Sequence, residues 1–263
     1  MKRLSLLLAF LINPSSANAQ LNIAHRGDAK HEIENTQAAV SSAWKQGADV
    51  VEIDVQMLVD RTLVLFHDSE IQGVSLSSLS YEQLQRLNPQ ISIPTLGEIL
   101  QACPKGKTLL LDLKSPTPQY LNQLLSVIRS HSSQDLQYIF QSTHVPSLMY
   151  LRGELPENTP LFYVTSLDRS GPLQKQPDPI DLALKIKTAD LNGITAKGRN
   201  FVNAAYVSAF HDQGLAYFVW TINDTERMRY YSSINVDGII TDDPKTLSQI
   251  KQDVINLRTN GPD

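Results

Sequence analysis

The chain carries a single cysteine, Cys103, in 263 residues, so no internal disulfide can form and no thiolate cluster can hold zinc or an iron–sulfur centre. Any metal must be bound by oxygen or imidazole. Basic residues are in the minority, 23 Lys and Arg against 27 Asp and Glu, for a formal charge of −4. That balance offers no broad attraction for a polyanion and argues against nucleic acid as a partner. Apolar runs are short: the run Leu4–Ile12 falls well below the ~20 residues that a bilayer span requires, and no later segment comes closer, so no stable membrane insertion is expected. The first strand-like segment lacks the GxGxxG loop of a dinucleotide site, being followed by His25-Arg26-Gly27, and there is no internal repeat, low-complexity tract or charge block to mark a second domain. What is present is ample apolar material, 41% of residues, which excludes disorder as a description of the whole chain.

The first nineteen residues read as a secretory leader. Lys2 and Arg3 precede Leu4–Ile12, Asn13-Pro14 interrupts any helix, and Ala17-Asn18-Ala19 supplies the small–x–small pattern of a cleavage site. Cleavage after Ala19 leaves residues 20–263 as a single domain. Loss of Lys2 and Arg3 lowers the basic count from 23 to 21 against 27 acids, a net of −6. An exported protein, periplasmic or secreted, is expected.

Along the remainder, eight short strand-like segments alternate with helical spacing: Leu21–Ala24, Asp49–Asp54, Thr108–Leu113, Tyr138–Gln141, Leu161–Thr165, Gly193–Thr195, Ala216–Thr221 and Val236–Thr241. Helix starts are marked by Asn35 as N-cap of Thr36–Gln46, and by Ser80-x-x-Gln83 and Thr95-x-x-Glu98 as capping boxes. Eight strand–helix units in one domain suggest an α/β fold closed as a (β/α)8 barrel, with an open doubly wound sheet as the alternative. Two segments break the alternation. Glu52–Val59 and Thr62–His67 are separated only by Asp60-Arg61, predicting a β-hairpin extension after strand 2 closed by a two-residue loop. Ser166–Asp190, with Pro172, Pro177 and Pro179 near Gly171, reads as a long loop that could lie over the barrel mouth.

In such barrels the chemistry sits at the C-terminal ends of the strands. Those ends carry His25-Arg26, Glu52-Ile53-Asp54, His67-Asp68, Asp112-Leu113-Lys114, Gln141-Ser142 and Trp220-Thr221. Period-two geometry puts Glu52 and Asp54 on one side of their strand, and the two-residue loop would place Asp54 opposite His67. Clustered carboxylates repel unless a cation sits among them, which points to Ca²⁺ or Mg²⁺ with Asp112 as third ligand. Lys114 lands on the same face, and Arg26 offers a bidentate fork for a phosphate. Metal, cations and two histidines together favour phosphoester chemistry.

The motifs His25-Arg26-Gly27, Glu34-Asn35-Thr36, Gly47-Ala48-Asp49, Glu52-Ile53-Asp54-Val55, His67-Asp68, Ile93-Pro94-Thr95-Leu96-Gly97-Glu98, Val219-Trp220-Thr221-Ile222-Asn223 and Gly238-Ile239-Ile240-Thr241-Asp242 resemble, in order, those of the glycerophosphodiester phosphodiesterase family, of the phospholipase-C-like TIM-barrel phosphodiesterases. The resemblance implies a TIM barrel that binds one divalent cation and hydrolyses a small-molecule glycerophosphodiester to glycerol 3-phosphate and an alcohol. It implies that Glu52, Asp54 and Asp112 hold the metal and that Arg26 and Lys114 bind the phosphate. It also implies proton exchange by His25 and His67, with His25 the acceptor and His67 the donor, and a glycerol pocket lined by Trp220. Glu34 is either a carboxylate orienting Arg26 or a substrate hydroxyl, or simply an acid beside a helix N-terminus. Three positions depart from the family pattern: Asp112 replaces the usual Glu of an E-L-K motif, Asp68–Ile93 is short and serine-rich, and Asp60-Arg61 replaces Asp-Gly. The first motivates a rival reading as a catalytically inactive phosphate-ligand binding protein. A related lipid phosphodiesterase or phospholipase D is the rival within enzymes.

Overall fold

The structure, a computed structural model, describes residues 20–168 and 175–259; the expected leader lies outside the described residues. Eight parallel strands, β1 (Leu21–Ala24), β2 (Val50–Met57), β6 (Thr108–Leu113), β7 (Gln137–Ser142), β8 (Leu161–Thr165), β9 (Gly193–Lys197), β10 (Ala216–Trp220) and β11 (Gly238–Thr241), pair in the order β1-β11-β10-β9-β8-β7-β6-β2, and β1 pairs with β2 to close the cylinder. The helices are α1 (Gln37–Lys45), α2 (Tyr81–Leu87), α3 (Leu96–Ala102), α4 (Pro118–Ser130), α5 (Val145–Glu154), α6 (Pro179–Thr188), α7 (Ala204–His211), α8 (Thr225–Ser233) and α9 (Pro244–Thr259). This is the (β/α)8 TIM barrel expected from the strand–helix alternation. No helix among the described residues is long and apolar enough to cross a membrane.

Alternation along each strand divides the core in two. Ile23, Val50, Leu110, Ile139, Phe162, Phe218 and Ile240 point inward and fill the barrel, whereas Val51, Ile53, Leu109, Leu111, Phe140, Tyr217 and Ile239 point outward against the helices. Phe162 and Phe218 stack with ring centroids 4.3 Å apart. Gly193 makes this possible, because a Cβ there would lie 2.2 Å from the Ala216 carbonyl oxygen and 2.8 Å from the Phe162 ring.

Strand β2 continues past the barrel and turns back as antiparallel β3 (Leu63–Leu65). A small ribbon of β4 (Glu70–Ile71) and β5 (Val74–Ser75) follows, then α2 and α3. Leu58, Val64, Ile71, Leu76, Leu79, Leu84 and Ile93 form a separate apolar cluster beneath this excursion. Both expected capping boxes are present, Ser80 with Gln83 on α2 and Thr95 with Glu98 on α3.

Three local expectations are corrected. The hairpin pairs Val55 with Leu65 and Met57 with Leu63, one residue out of the register expected. Its loop is Val59-Asp60-Arg61, closed by the Leu58 N–H to the Thr62 carbonyl at 2.9 Å, with Arg61 at φ 66°. A left-handed third residue is the usual geometry of a three-residue hairpin loop, and arginine adopts it here in the place glycine prefers. Asp54 therefore lies opposite Phe66, whose N–H donates to the Asp54 carbonyl. Second, Ser166–Asp190 contains a helix, α6, with Asp178 as N-cap, Pro179 at its first position, and Ala183 and Ile186 buried. Proline suits a first helical turn, where its missing N–H costs nothing. Residues 169–174 of that segment lie outside the described residues. Third, the N-cap of α1 is Thr36, whose hydroxyl accepts from the Ala39 N–H at 3.2 Å, and not Asn35. Thr36→Ala should accordingly lower stability by about 1 kcal/mol, a fall in Tm of roughly 2–4 °C, readable by thermal melting; no change in Tm would count against the assignment.

Candidate active site

At the C-terminal end of the barrel the inward positions change from apolar to ionisable. On β2 the inward sequence is Val50, Glu52, Asp54; on β6 it is Leu110, Asp112, then Lys114 just beyond the strand; on β1 it is Ile23, then His25. Asp54 and Asp112 are Cα partners in adjacent strands, so their carboxylates start from neighbouring points on one face. His25, Arg26, Glu52, Asp54, His67, Asp112, Lys114 and Trp220 all line one cavity of about 270 Å³, together with Gln141, Thr143, Val164, Ser166 and Ile240. Eight of the nine site residues expected from sequence thus converge. The ninth, Glu34, sits behind Arg26, accepting from its Nη1 through both carboxylate oxygens at 2.9 Å. A larger groove of about 620 Å³ between α6 and α7, lined by residues such as Ile180, Phe201 and Tyr206, gathers no comparable chemistry.

The three acids fit a cation. Glu52, Asp54 and Asp112 each offer a carboxylate oxygen, all within 4.8 Å of one another, which suits a single ion at the roughly 2.3–2.6 Å that Ca²⁺ keeps from its oxygen ligands. Glu52 and Asp54 are each only 1% exposed, a costly place for charge unless partners offset it. Burial raises the Glu52 carboxyl well above the usual carboxylate range, and Asp54 and Asp112 raise it further by repulsion, against Lys114 and the Arg26 N–H. Burial likewise raises Asp112. At Asp54 burial is again the largest influence, but Lys114, Asn35 and Arg26 outweigh it and bring the carboxyl below its ordinary value. An added cation would relieve the repulsion among the three acids. Asp112, although one methylene shorter than Glu, reaches the cluster.

Ion pairs and hydrogen bonds hold this array. The Lys114 Nζ lies 2.8 Å from Asp54 Oδ1 and 2.5 Å from Asp112 Oδ2. Burial disfavours the Lys114 ammonium, yet those two carboxylates hold it charged, above its ordinary range. The Arg26 backbone, at φ 55°, aims its N–H at Glu52 Oε2, 2.8 Å away, and the Arg26 Nε is 3.2 Å from Asp54 Oδ2. Left-handed backbone at a non-glycine residue costs on the order of 1–3 kcal/mol and persists where surrounding contacts enforce it. Gly27 lets this turn sit against α1: it has φ 87°, and a Cβ there would lie 2.6 Å from the Ala39 carbonyl carbon.

Both histidines are backed by acids. His25 Nδ1 is 2.6 Å from Asp242 Oδ1, and His67 Nδ1 is 2.7 Å from Asp68 Oδ1. The carboxylates can only accept, so each Nδ1 carries the proton and each Nε2 is the nitrogen left to take or give one. His67 reaches the cavity despite the shifted hairpin register because it lies beyond the end of β3, where the chain has left the ladder. Asp242 is a site residue to which the sequence motifs assign no role. Its signal is parity, since it stands two residues after the inward-facing Ile240. Asn35, expected as a cap, turns instead to Asp54: its Nδ2 donates to Asp54 Oδ2 at 2.8 Å and its Oδ1 accepts from the Asp54 N–H at 3.0 Å. Its left-handed φ of 58° is the conformation that Asn tolerates best among residues with a side chain. The four remaining histidines, His31, His131, His144 and His211, stay outside the cavity; His211, for example, bonds Asp237.

Comparison with known proteins identifies the family. Residues 25–246 match the model of the glycerophosphoryl diester phosphodiesterase family. The glycerophosphodiester phosphodiesterase of Caldanaerobacter subterraneus subsp. tengcongensis is 28% identical over 245 residues, covering 86% of this chain and 96% of its own. Human glycerophosphodiester phosphodiesterase 1 is 27% identical over 259 residues, covering 84% of this chain and 77% of its own. Among solved structures, a phosphodiesterase of Oleispira antarctica in complex with the product sn-glycerol-3-phosphate superposes with a TM-score of 0.70 at 26% identity, covering 88% of this chain and 96% of that one. With a barrel closed as expected and its acids, imidazoles and cations gathered at one mouth, the chain belongs to the glycerophosphoryl diester phosphodiesterase family and is an enzyme of that class.

Proposed function

We propose that this protein hydrolyses small-molecule glycerophosphodiesters to sn-glycerol 3-phosphate and an alcohol, outside the cytoplasm, with one divalent cation, Ca²⁺ or Mg²⁺, held by Glu52, Asp54 and Asp112. The observation that carries the reading is the meeting, in one cavity, of three convergent carboxylates, two acid-backed imidazoles and the cations of Arg26 and Lys114. The cation, when bound, supplies positive charge to the phosphoryl oxygens as negative charge grows on them. Arg26 and Lys114 add to that field and orient the phosphate, with Arg26 steadied by Glu34. His25, its Nδ1–H fixed on Asp242, removes a proton at Nε2 from the attacking hydroxyl, either water or the substrate's own glycerol oxygen; in the second case a cyclic phosphodiester forms as the alcohol leaves, and water then opens it to sn-glycerol 3-phosphate. His67 returns a proton to the departing alkoxide from its Nε2. Trp220 forms an apolar wall for the glycerol.

The test is hydrolysis of glycerophosphodiesters by the purified protein, with sn-glycerol 3-phosphate measured directly. Turnover should vanish on chelation and return with Ca²⁺ or Mg²⁺. Activity indifferent to chelator would contradict the metal assignment. Phosphate-ligand binding without turnover under any cation would favour the inactive binding protein, and preference for intact phospholipid would favour the lipid enzyme. Export rests on the leader pattern alone. Mass spectrometry of the mature protein should find Gln20 at its N-terminus in the extracytoplasmic fraction, and a cytoplasmic protein beginning at Met1 would overturn it.

A further inference from the structure

Most ionic groups at the cavity mouth are engaged in pairs. Asp242 is held by His25 and Asn223, Asp68 by His67, Glu34 by Arg26, and Arg199 by Asp168 and the Ser166 carbonyl. Lys197 differs. It is the last residue of β9, exposed, and two alternations beyond Gly193, so it stands on the inward side at the top of the cylinder. Among the described residues no carboxylate forms an ion pair with it; its contact is with an aromatic ring. Lys197 and Trp220 are Cα partners across β9 and β10, and the Lys197 Nζ lies 5.9 Å from the Trp220 ring centroid. The indole is fixed in turn, its Nε1–H donating to the Thr195 carbonyl at 3.1 Å.

Trp220 borders the glycerol half inside the cavity, whereas Lys197, exposed and outside the cavity lining, stands where the alcohol half of the substrate emerges. Recognition of a quaternary or primary ammonium headgroup depends on free aromatic faces or on unpaired carboxylates. Histidines apart, Trp220 is the one aromatic among the described residues lining the cavity, and its face already has an ammonium over it. The acids at the mouth each already accept from a side chain, Asp242 from His25, Asp68 from His67 and Glu34 from Arg26. Building on the proposed reaction, we infer that Lys197 is a specificity-determining residue and that the alcohol released is neutral or anionic, a polyol or phosphorylated polyol, in preference to choline or ethanolamine. The Lys197 ammonium repels a cationic headgroup at the mouth through which the alcohol departs, and offers a hydrogen-bond donor to hydroxyl or phosphate oxygens.

The experiment compares kcat/KM of the full-length mature enzyme for glycerophosphocholine, glycerophosphoglycerol and glycerophosphoinositol at low ionic strength in the presence of Ca²⁺. The polyol diesters should exceed the choline diester by roughly fivefold or more, the scale expected of one partly exposed cation. Lys197→Met should narrow the ratio and Lys197→Glu should reverse it. In the wild-type protein, raising salt to about 0.5 M should also narrow it, since screening acts on exposed charge at that range, and this reading needs no variant to fold. A wild-type preference for glycerophosphocholine, or a ratio unmoved by both Lys197→Glu and salt, would overturn the inference while leaving the hydrolytic reaction intact. Failure to turn over any of the three would overturn the reaction itself and the inference with it.

Discussion

Replacing Glu52 by Gln should abolish cation binding and reduce turnover by about three orders of magnitude while leaving the metal-free fold as stable as before, or more so. The reasoning lies in what Glu52 touches. Its oxygen accepts the Arg26 N–H at 2.8 Å, and the Gln amide oxygen can accept the same bond. What is lost is one buried negative charge that sits against Asp54 and Asp112, and removing it relieves repulsion. Substitutions that relax a functional cluster commonly raise stability at the expense of activity. A metal ion is worth several kcal/mol to a developing phosphoryl charge, and at ~1.4 kcal/mol per tenfold this corresponds to the loss expected. The paired readout is thermal melting: a ligand at about 100 times its Kd stabilises by ~2.7 kcal/mol, so Ca²⁺ should raise the wild-type Tm by several degrees and leave that of Glu52→Gln unchanged. Asp54 is the poorer choice, because Lys114, Arg26 and Asn35 all lean on it and its loss would disorganise the whole cluster. A Glu52→Gln protein that still shows the full Ca²⁺ shift would contradict the assignment.

The second large effect concerns the histidines, and it separates their roles. His25→Ala and His67→Ala should each lower kcat on a glycerophosphodiester by roughly 10²–10⁴, the range for loss of a positioned acid or base, with little change in Tm because both side chains reach into the cavity. A substrate whose leaving group is a nitrophenolate needs no proton to depart. On such a substrate His67→Ala should recover most of the wild-type rate, and His25→Ala should not. Asp242→Asn should give a smaller loss than His25→Ala, since it leaves the imidazole present but no longer fixes the Nδ1 proton. Rescue of both histidine variants by the activated substrate, or of neither, would refute the division of labour.

The barrel was legible because its signal is distributed. Eight apolar runs, each followed by a polar strand end, survive small errors in any one boundary, and β2 or β9 extending past its expected limit changes nothing in the closure. The site was legible for a related reason: inward parity is set by period two, so Glu52 with Asp54, and Asp112 with Lys114, follow from spacing alone. The hairpin register was less secure because it hung on one loop. A single left-handed residue, Arg61, lengthened the turn and moved Asp54 from opposite His67 to opposite Phe66. His67 still reaches the cavity, through the path of the chain after β3 and not through the ladder. Contacts between distant segments were the hardest to foresee. Asn35 next to Thr36 looks like a helix cap from either residue, and only the fold shows that Thr36 takes that position while Asn35 turns to Asp54, 19 residues on. Asp242 lies 217 residues from His25, and nothing local to either announces the pair. The same holds for Lys197 over Trp220, which strand pairing alone brings together.

Asp112, where the resemblance implies a Glu, bears directly on whether the cluster can work. Its carboxylate meets those of Glu52 and Asp54 within 4.8 Å while holding Lys114 at 2.5 Å, so the shorter side chain still belongs to the group. The decisive measurement is a crystal soaked in Mn²⁺, which binds carboxylate oxygens as Ca²⁺ and Mg²⁺ do and is visible by its anomalous scattering. One peak in the cavity, within bonding distance of carboxylate oxygens of Glu52, Asp54 and Asp112 together, is the expected result. A peak bound elsewhere, or one that engages Glu52 and Asp54 but leaves Asp112 on Lys114 alone, would contradict the three-carboxylate centre on which the proposed chemistry rests.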